Sequence, residues 1–386
     1  MQRSSRQRFG IDAVTPGLSL APGAGGMRMY LEAIAKGMHD SCDDMDLVLF
    51  ENPQVALHRL RSLSGLQVRP CLFVPQNRVG RVIYQNTLYS LLIRSARLDA
   101  LLATCNVLPF GLNVPTVVVI QSLQFFEHPT AFGAWQRRYL KTIVGRSVKR
   151  AAAVICLSSA SKRALLELTG VEPSKVHVVY HGMSPSHSSA TARIERSRTA
   201  PPYILNVSSL HAYKNVPRLI EAYAQLRRQH RITQRLRIIG YEAEYTRQDI
   251  AMFARKLRVS DWVDFLGPVG HEELPAHYAN ADLFVYPSLY ETFGLPPLEA
   301  MVSGCPVVAA RSSSIPEIVG NAAELVNPLD VEDIARGIHR VLTDVPRRSE
   351  LIERGRLRAA SFTWERAGHQ TLNVLRDAAG SRTLRN

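Results

Sequence analysis

Short runs of apolar, often β-branched residues alternate along the chain with longer segments in which apolar residues recur at helical spacing. In the second half these runs lie at 203–209, 236–240, 263–267, 283–288, 306–310 and 323–326. In the first half they lie at 9–14, 46–50, 99–104, 116–121, 153–158 and 175–180. Parallel strands are buried on both faces and therefore read as continuous apolar runs. The pattern predicts an α/β fold in which helices wrap parallel sheets.

Two helix starts carry recognisable signals. The segment 215–229 is amphipathic, and we expect Asn215 as its N-cap with Pro217 in its first turn. Ser314 and Glu317 have the spacing of a capping box, which predicts the start of another helix.

The length of 386 residues, with 46% hydrophobic and 21% charged residues, excludes a disordered chain and a single small domain. Domains usually contain about 100–200 residues, so we expect two. A stretch rich in Ser, Thr, Ala and Pro separates the two halves. We therefore predict one domain at 1–185, a linker at 186–202, a second domain at 203–362 and a terminal helix at 363–386.

The net charge of +14 is concentrated in residues 53–150, which hold 13 basic and 2 acidic side chains. Such a region attracts nucleic acid, an anionic membrane or a phosphorylated substrate. Residues 135–151 combine six basic side chains with Trp135, Tyr139 and aliphatic residues, a pattern typical of a helix lying on an anionic bilayer. A helix packed on the sheet with a solvated basic face is the alternative. No helix-turn-helix or base-stacking module accompanies the charge, so nucleic acid is not expected.

Five widely spaced cysteines form no CxxC pair, which excludes a disulfide framework and a zinc site of that type. A reducing cytoplasm is the simpler location. The basic N-terminus leads into no apolar core of a signal peptide, and no apolar run approaches the length of a membrane span. Asp44 and Asp46 lie in an acidic loop that we interpret as a solvated turn, so we expect no metal site.

The most informative segment is 283–310. A hydrophobic strand is followed by a loop containing Glu291 and Gly294, and then by a helix that opens at paired prolines. Free N–H groups around Phe293, Gly294 and Leu295 would form an anion site, which Glu291 and Glu299 would flank. The alternative is a helix N-terminus with ordinary acidic partners for its dipole.

This succession of strand, aromatic-glycine loop, proline-opened helix and the sequence SGCPVVAA resembles the C-terminal domain of family 4 glycosyltransferases. Segments 22–37, 151–183, 203–215 and 362–378 resemble further parts of the same family. The resemblance implies the GT-B fold, with two Rossmann-like domains whose parallel sheets face each other across a cleft. It also implies that the terminal helix crosses back to the N-terminal domain.

The resemblance also implies residue roles. Glu291 would hold the transferred sugar, Glu299 would accept hydrogen bonds from the ribose, and Lys214 would neutralise the diphosphate. The implied donor-binding set is completed by Ser209, Val269, Phe293, Gly294 and Leu295. The chain departs from the family where Ser208-Ser209 replaces a frequent Gly-Arg and where Tyr213 replaces a basic residue.

On the acceptor side, the backbone amides of Gly25 and Gly26 would approach the donor phosphates or the acceptor. Their loop fits a nicotinamide-binding fingerprint poorly, because Met29 holds the third glycine position. Gln121 stands where many members carry a histidine. Glutamine can hydrogen-bond a sugar hydroxyl but cannot act as a general base.

The family resemblance implies a retaining, metal-independent hexosyltransferase whose only co-substrate besides the acceptor is a nucleoside diphosphate sugar, with GDP-mannose as the first expectation. The acceptor would be a growing, lipid-linked surface polysaccharide or lipopolysaccharide bound by the N-terminal domain. We expect a cytoplasmic protein, peripheral on the inner face of the cytoplasmic membrane. The alternatives are a nucleotide-sugar epimerase on the same scaffold and an inactive, basic, membrane-associated adaptor.

Overall fold

The computed structural model describes residues 6–14, 25–41, 44–52, 60, 63, 65–71, 74–75, 78–128, 132–183 and 201–383. The chain divides into two compact units. One comprises Met1–Gly182 together with Thr363–Asn386, and the other comprises Met183–Phe362. Of the predicted linker at 186–202, all but its last two residues lie outside the described residues.

The first unit is built on a parallel sheet in the order β3-β2-β1-β4-β5-β6-β7. Its strands are Gln7–Asp12 (β1), Met45–Glu51 (β2), Leu66–Pro70 (β3), Ala100–Ala103 (β4), Thr116–Ile120 (β5), Ala153–Cys156 (β6) and Val176–Val178 (β7). β1 pairs with β2 on one side and with β4 on the other, so the strand order reverses there. The central strands are fully buried, which explains their unbroken apolar sequences.

Helices cover this sheet. They are Gly25–Asp40 (α1), Arg78–Asn86 (α2), Leu88–Ser95 (α3), Gln124–Glu127 (α4), Ala134–Arg150 (α5) and Ser159–Thr169 (α6). The side chain of Ser158 caps α6 by accepting a hydrogen bond from the Ser161 amide, and Gly170 ends the helix in a left-handed conformation.

The second unit repeats the architecture, with a parallel sheet in the order β10-β9-β8-β11-β12-β13. Its strands are Tyr203–Val207 (β8), Arg235–Ile239 (β9), Val263–Gly267 (β10), Leu283–Tyr286 (β11), Val307–Ala310 (β12) and Glu324–Val326 (β13). The strand order reverses between β8 and β11, which are hydrogen-bonded neighbours. One apolar core under this sheet contains the buried face of the first helix of the unit, including Leu219, Tyr223 and Leu226.

The helices of this unit are Val216–His230 (α7), Arg247–Lys256 (α8), Leu274–Asn280 (α9), Leu295–Val302 (α10), Ile315–Val319 (α11), Val331–Thr343 (α12) and Val345–Ala360 (α13). After Phe362 the chain returns to the first unit as helix Trp364–Thr383 (α14). Two Rossmann-like domains with parallel sheets are thus present, and the predicted α/β fold class is confirmed.

Asn215 is the N-cap residue of α7 and Pro217 lies in the first turn, as predicted. Asn215 precedes α7 but adopts a left-handed conformation, with φ of 64°, and its side chain makes no capping bond. The side-chain amide instead donates to the carbonyls of Pro287 (3.1 Å) and Pro328 (2.7 Å). Asn215 therefore ties together the loops that follow β11 and β13, an interaction between distant segments that local sequence spacing does not reveal.

Candidate active site

The candidate donor site lies at the reversal of strand order in the second sheet. In open α/β sheets, ligands bind beyond the carboxyl ends of the strands at such a reversal. The loop after β8 carries Lys214, and the loop after β11 carries Glu291. Because β8 and β11 are neighbours in the sheet, two residues distant in sequence meet at this edge.

Lys214 and Glu291 form an ion pair in the second unit. The Lys214 Nζ donates to Glu291 Oε1 at 2.7 Å, and the two side chains are 12% and 11% exposed. A third residue completes a triangle. The hydroxyl of Tyr286, the last residue of β11, donates to the same Glu291 oxygen at 2.7 Å and accepts from Lys214 Nζ at 3.1 Å. Tyr286 is buried, so the charged pair contacts the hydroxyl of a phenol that is shielded from solvent.

Tyr213 takes part in holding Lys214. Lys214 ends a short 3-10 turn, Ala212–Lys214, in which the Tyr213 ring centroid lies 5.1 Å from Lys214 Nζ. The carbonyl of Tyr213 accepts a hydrogen bond from the Leu289 amide at 2.7 Å. The residue that replaces a basic family residue therefore contributes an aromatic face beside the ammonium.

Three successive serines fix the backbone of the Glu291 loop. The Ser313 and Ser314 hydroxyls both donate to the Glu291 carbonyl, at 2.7 and 2.8 Å, and Ser314 also bonds the Phe293 carbonyl at 2.9 Å. Ser312 bonds the Ser288 carbonyl at 2.7 Å. The predicted capping box at Ser314 is consequently wrong, because its hydroxyl serves this loop and makes no capping bond to α11.

Gly294 precedes α10 with φ of 100°, a conformation that a side chain disfavours. Phe293 is buried and packs edge-on against Phe362, with ring centroids 5.7 Å apart. Leu295 begins the helix, but Pro296 and Pro297 follow it and have no N–H. The amide donors that this helix start offers to an anion are therefore those of Gly294 and Leu295.

Glu299, on α10, is the second carboxylate of the site and is 7% exposed. Its Oε2 accepts a hydrogen bond from the Tyr278 hydroxyl at 2.9 Å. Burial raises the pKa of Glu299, and the Tyr278 hydrogen bond and the charge of His271 only partly oppose this effect. Burying the ionised carboxylate costs free energy. Hydrogen bonds from the hydroxyls of a bound ligand would offset part of that cost.

The remaining residues predicted for the donor side lie on neighbouring loops. Ser209 is half-buried just beyond β8, and Val269 is half-buried beyond β10. The backbone of Ser208 approaches Gly240 so closely that a Cβ on Gly240 would lie 2.0 Å from the Ser208 carbonyl oxygen. The glycine after β9 therefore sets the spacing of the loop that carries Ser209.

The residues predicted for the acceptor side belong to the first unit. Gly25 and Gly26 open α1. Gln121 follows β5, where its side-chain amide donates to the Thr104 carbonyl at 3.2 Å and its backbone amide donates to Asn106 Oδ1 at 2.7 Å. Thr104 in turn bonds the carbonyl of Asp12, at the end of β1. Gln121 is thus anchored at the carboxyl edge of the first sheet.

Sequence reasoning missed Tyr286 and Tyr278. Both are buried aromatic residues that packing alone would explain. Their hydroxyls become informative only when the sheet and helices place them beside Glu291 and Glu299. The available signal was a tyrosine at the end of a buried strand, five residues before Glu291.

Two family models match the chain. Residues 189–358 match the model described as glycosyl transferases group 1, and residues 24–187 match the model described as glycosyltransferase family 4. The O-antigen chain mannosyltransferase B of Escherichia coli is 30% identical over 264 residues, which cover 67% of this chain and 69% of that protein. The chain belongs to the family 4 glycosyltransferases.

A further relative and two solved structures are similar to this glycosyltransferase. The MMP alpha-(1->4)-mannosyltransferase of Mycolicibacterium hassiacum is 32% identical over 238 residues, covering 60% of this chain and 56% of that protein. The sucrose-phosphate synthase of Thermosynechococcus elongatus has the same fold, with a TM-score of 0.73 at 20% identity over 97% of this chain and all of that one. The Anabaena protein HepE, solved with UDP and glucose, has a TM-score of 0.70 at 21% identity over 96% of this chain and all of that one. The GT-B fold is therefore confirmed.

The basic helix of this glycosyltransferase is α5. It buries Val144, Ser147 and Val148 against the first unit and exposes Trp135 (85%) and Tyr139 (41%). On the exposed face the two aromatic rings share a stripe with Arg138, Arg146 and Lys149. Among the described residues of the glycosyltransferase, no helix is long and apolar enough to cross a membrane.

The described parts of the glycosyltransferase contain no group of three or more His, Cys, Asp or Glu side chains that could hold a metal ion. Asp44 is exposed and accepts a hydrogen bond from Arg376 at 3.2 Å, which ties its loop to α14.

Proposed function

We propose that this glycosyltransferase is a retaining hexosyltransferase that uses a nucleoside diphosphate sugar, with GDP-mannose as the first donor to test. The observation that carries the proposal is the contact between Lys214 and Glu291 at the strand-order reversal of the second sheet. An ammonium and a carboxylate held together can serve two parts of one ligand, the diphosphate and the sugar hydroxyls. Similarity to two mannosyltransferases supports mannose, and the UDP bound by HepE supports a nucleoside diphosphate.

In the proposed reaction, the bond between the anomeric carbon and the diphosphate oxygen breaks while a bond to the acceptor hydroxyl oxygen forms on the same face of the sugar. The acceptor's proton passes to the departing diphosphate. Lys214 and the amides of Gly294 and Leu295 stabilise the charge that develops on the diphosphate. Glu291 orients the sugar through its hydroxyls, and Glu299 accepts hydrogen bonds from the ribose.

The other residues have supporting roles in this proposal. Ser209, Val269 and Phe293 shape the donor site. Gly25, Gly26 and Gln121 serve the acceptor side, where the Gln121 amide hydrogen-bonds an acceptor or sugar hydroxyl. Lys214 and the helix amides supply positive charge, so the reaction needs neither a metal ion nor an additional cofactor.

We further propose that the acceptor is a lipid-linked oligosaccharide of a growing surface polysaccharide or lipopolysaccharide. The support is the name of the Escherichia coli relative and the exposed aromatic and basic stripe of α5. A protein that extends a lipid-linked glycan would work at the cytoplasmic face of the membrane, and α5 would bind anionic lipid there.

The test is a panel of GDP- and UDP-hexoses assayed for nucleoside diphosphate release, with and without a lipid-linked acceptor, in EDTA and in added Mg²⁺. We expect release of GDP from GDP-mannose that requires the acceptor and persists in EDTA. Lys214→Ala and Glu291→Ala should each reduce kcat by about 100-fold or more, as expected when a group that stabilises the transition state is removed.

Matched controls are Glu221→Ala on α7 and Lys256→Ala on α8, which remove an exposed carboxylate and an exposed ammonium from the same unit. Both should retain full activity. Full activity in Lys214→Ala or Glu291→Ala would refute the site assignment. Interconversion of the free nucleotide sugar would indicate an epimerase, and the absence of turnover with every donor would indicate an adaptor.

A further inference from the structure

Each of the two glutamates of the donor site is held by a buried tyrosine from a different element. Tyr286, at the end of β11, donates to Glu291 Oε1 at 2.7 Å. Tyr278, on α9, donates to Glu299 Oε2 at 2.9 Å. The two phenols are 1% and 0% exposed, so neither hydroxyl is positioned by solvent.

Both hydroxyls act as permanent donors. Burial raises the pKa of Tyr286 and of Tyr278 well above the ordinary value, and the adjacent carboxylates raise it further. Each phenol is therefore protonated at neutral pH and can donate its hydrogen bond. A hydrogen bond from a protonated phenol to a carboxylate is charge-assisted, so each bond favours the observed orientation of its glutamate.

Tyr286 and Lys214 donate to the same oxygen atom of Glu291 at the same time. Both donate to Glu291 Oε1, the first at 2.7 Å and the second also at 2.7 Å. Within the described residues, Glu291 Oε2 accepts no hydrogen bond and can therefore face a ligand hydroxyl. A diphosphate that draws the ammonium of Lys214 away leaves Tyr286 as the donor that keeps Glu291 in place.

We propose that Tyr286 and Tyr278 are positioning residues that divide donor recognition, Tyr286 at the sugar through Glu291 and Tyr278 at the ribose through Glu299. This inference rests on the proposed function of the two glutamates. It adds that the sugar and nucleotide ends of the donor are supported by separate buried phenols. Loss of one hydroxyl should therefore affect one end of the donor.

The test compares Tyr286→Phe with Tyr278→Phe, which remove only an oxygen from each site. Dissociation constants are measured by calorimetry for GDP and for GDP-mannose, or for the nucleotide and nucleotide sugar that the donor panel selects. For Tyr286→Phe we expect about a 10-fold weaker affinity for the nucleotide sugar, because Glu291 loses a hydrogen bond at the sugar end. We expect an unchanged affinity for the nucleotide, because the diphosphate draws Lys214 away from the Tyr286 hydroxyl and that contact is absent from the bound state. For Tyr278→Phe we expect both affinities to fall by the same factor, because both ligands contain the ribose.

Tyr223→Phe is the control for the general cost of removing a buried phenol in this unit. Tyr223 is fully buried on α7, and its hydroxyl donates to the Gln234 carbonyl at 2.7 Å. Its loss should lower Tm and leave both affinities unchanged. A merely structural role of Tyr286 would lower Tm and weaken both ligands equally, and that result would overturn the inference.

The outcome for the proposed function remains separate. If Lys214→Ala and Glu291→Ala keep full activity, the assigned site is wrong. If these variants lose activity while Tyr286→Phe binds both ligands as the wild type does, the site stands and the positioning role is wrong.

Discussion

Glu291 and Glu299 are only eight residues apart in the sequence, but their electrostatic environments differ. Glu291 is neutralised by Lys214 and bonded by Tyr286. Glu299 is buried with a neutral phenol as its donor, and burial raises its pKa. Burial disfavours the ionised form of Glu299 and so reduces the stability of the fold, as binding residues often do.

Replacing Glu299 by Gln should therefore stabilise the protein at neutral pH. The Glu299 carboxyl has its ordinary pKa of 4.5 in the unfolded chain and a raised pKa in the folded protein. Between these two values the folded chain keeps a proton that the unfolded chain has lost, so wild-type stability falls as pH rises through this window. We expect Tm of Glu299→Gln to exceed that of the wild type by about 2–4 °C at pH 7–8.

The pH dependence distinguishes this cause from better packing. Below pH 4.5 the acid is protonated in both states, so the difference in Tm should vanish there. A gain in Tm that stays constant from pH 4 to pH 8 would contradict the electrostatic explanation. The same variant should bind the donor more weakly, because glutamine offers the ribose a single acceptor oxygen.

At the level of single residues, local patterns gave the correct position and the wrong partner. Asn215 and Ser314 both precede helices, as expected, but neither side chain caps its helix. The Asn215 side chain bonds the loops after β11 and β13, and the Ser314 side chain bonds the carbonyl of Glu291. The contact of Lys214 with Glu291 depends on β8 and β11 being neighbours. Sequence spacing does not encode that adjacency, so the geometry of the site required the fold.

Among the elements, α1 and α14 pack in the first unit through two glycines. A Cβ on Gly37 would lie 2.2 Å from the Trp364 carbonyl oxygen, and a Cβ on Gly368 would lie 2.1 Å from the Gly37 carbonyl carbon. Nearby, Tyr30 of α1 stacks on His181 at 4.9 Å and meets Trp364 edge-on at 5.9 Å. The backbones of the two helices approach as closely as glycine permits.

Gly368→Ala should destabilise the protein by about 1–3 kcal/mol, since the added methyl meets backbone that must move. Gly380→Ala is the matched control in the same helix, because a Cβ there has no atom within 4 Å. That control should stabilise the helix by up to about 1 kcal/mol, reflecting the higher helix propensity of alanine. Chemical denaturation of both variants measures the difference, and equal effects of the two substitutions would show that the glycine contact is unimportant.

Strand prediction succeeded where strands are buried on both faces. β5 and β11 are entirely buried and were recognised from their apolar runs. The apolar pattern does not predict β3, Leu66–Pro70. This edge strand is partly exposed, and it contains Gln67, Arg69 and Pro70 beside its two apolar residues. A strand with one hydrogen-bonded neighbour and a solvated face carries too few apolar residues for such a signal.

Across the whole molecule, positive charge and exposed aromatic surface coincide in the first unit. Residues 53–150 account for most of the net charge, and α5 contributes Trp135, the most exposed of the large apolar side chains described. One face of α5 packs on the apolar core, and the other face carries basic side chains. The helix contains no acidic residue. The packing agrees with one of the two interpretations of this segment, a helix packed on the sheet with a basic face, and the binding of that face to an anionic bilayer stays a prediction.

Binding to vesicles tests whether that outer surface serves a membrane. The triple variant Arg138→Gln, Arg146→Gln, Lys149→Gln removes three exposed charges from α5, and Trp135→Ala removes the exposed ring. Each basic side chain near an anionic surface contributes about 1 kcal/mol, so the triple variant should bind phosphatidylglycerol vesicles about 100-fold more weakly. Trp135→Ala should weaken binding less steeply and should do so even at high salt, because its contribution is apolar.

The matched control, Arg228→Gln, Arg255→Gln, Lys256→Gln, removes three exposed charges from the second unit and should bind as the wild type does. Equal losses in the two triple variants would mean that net charge alone, rather than the face of α5, drives adsorption to the bilayer.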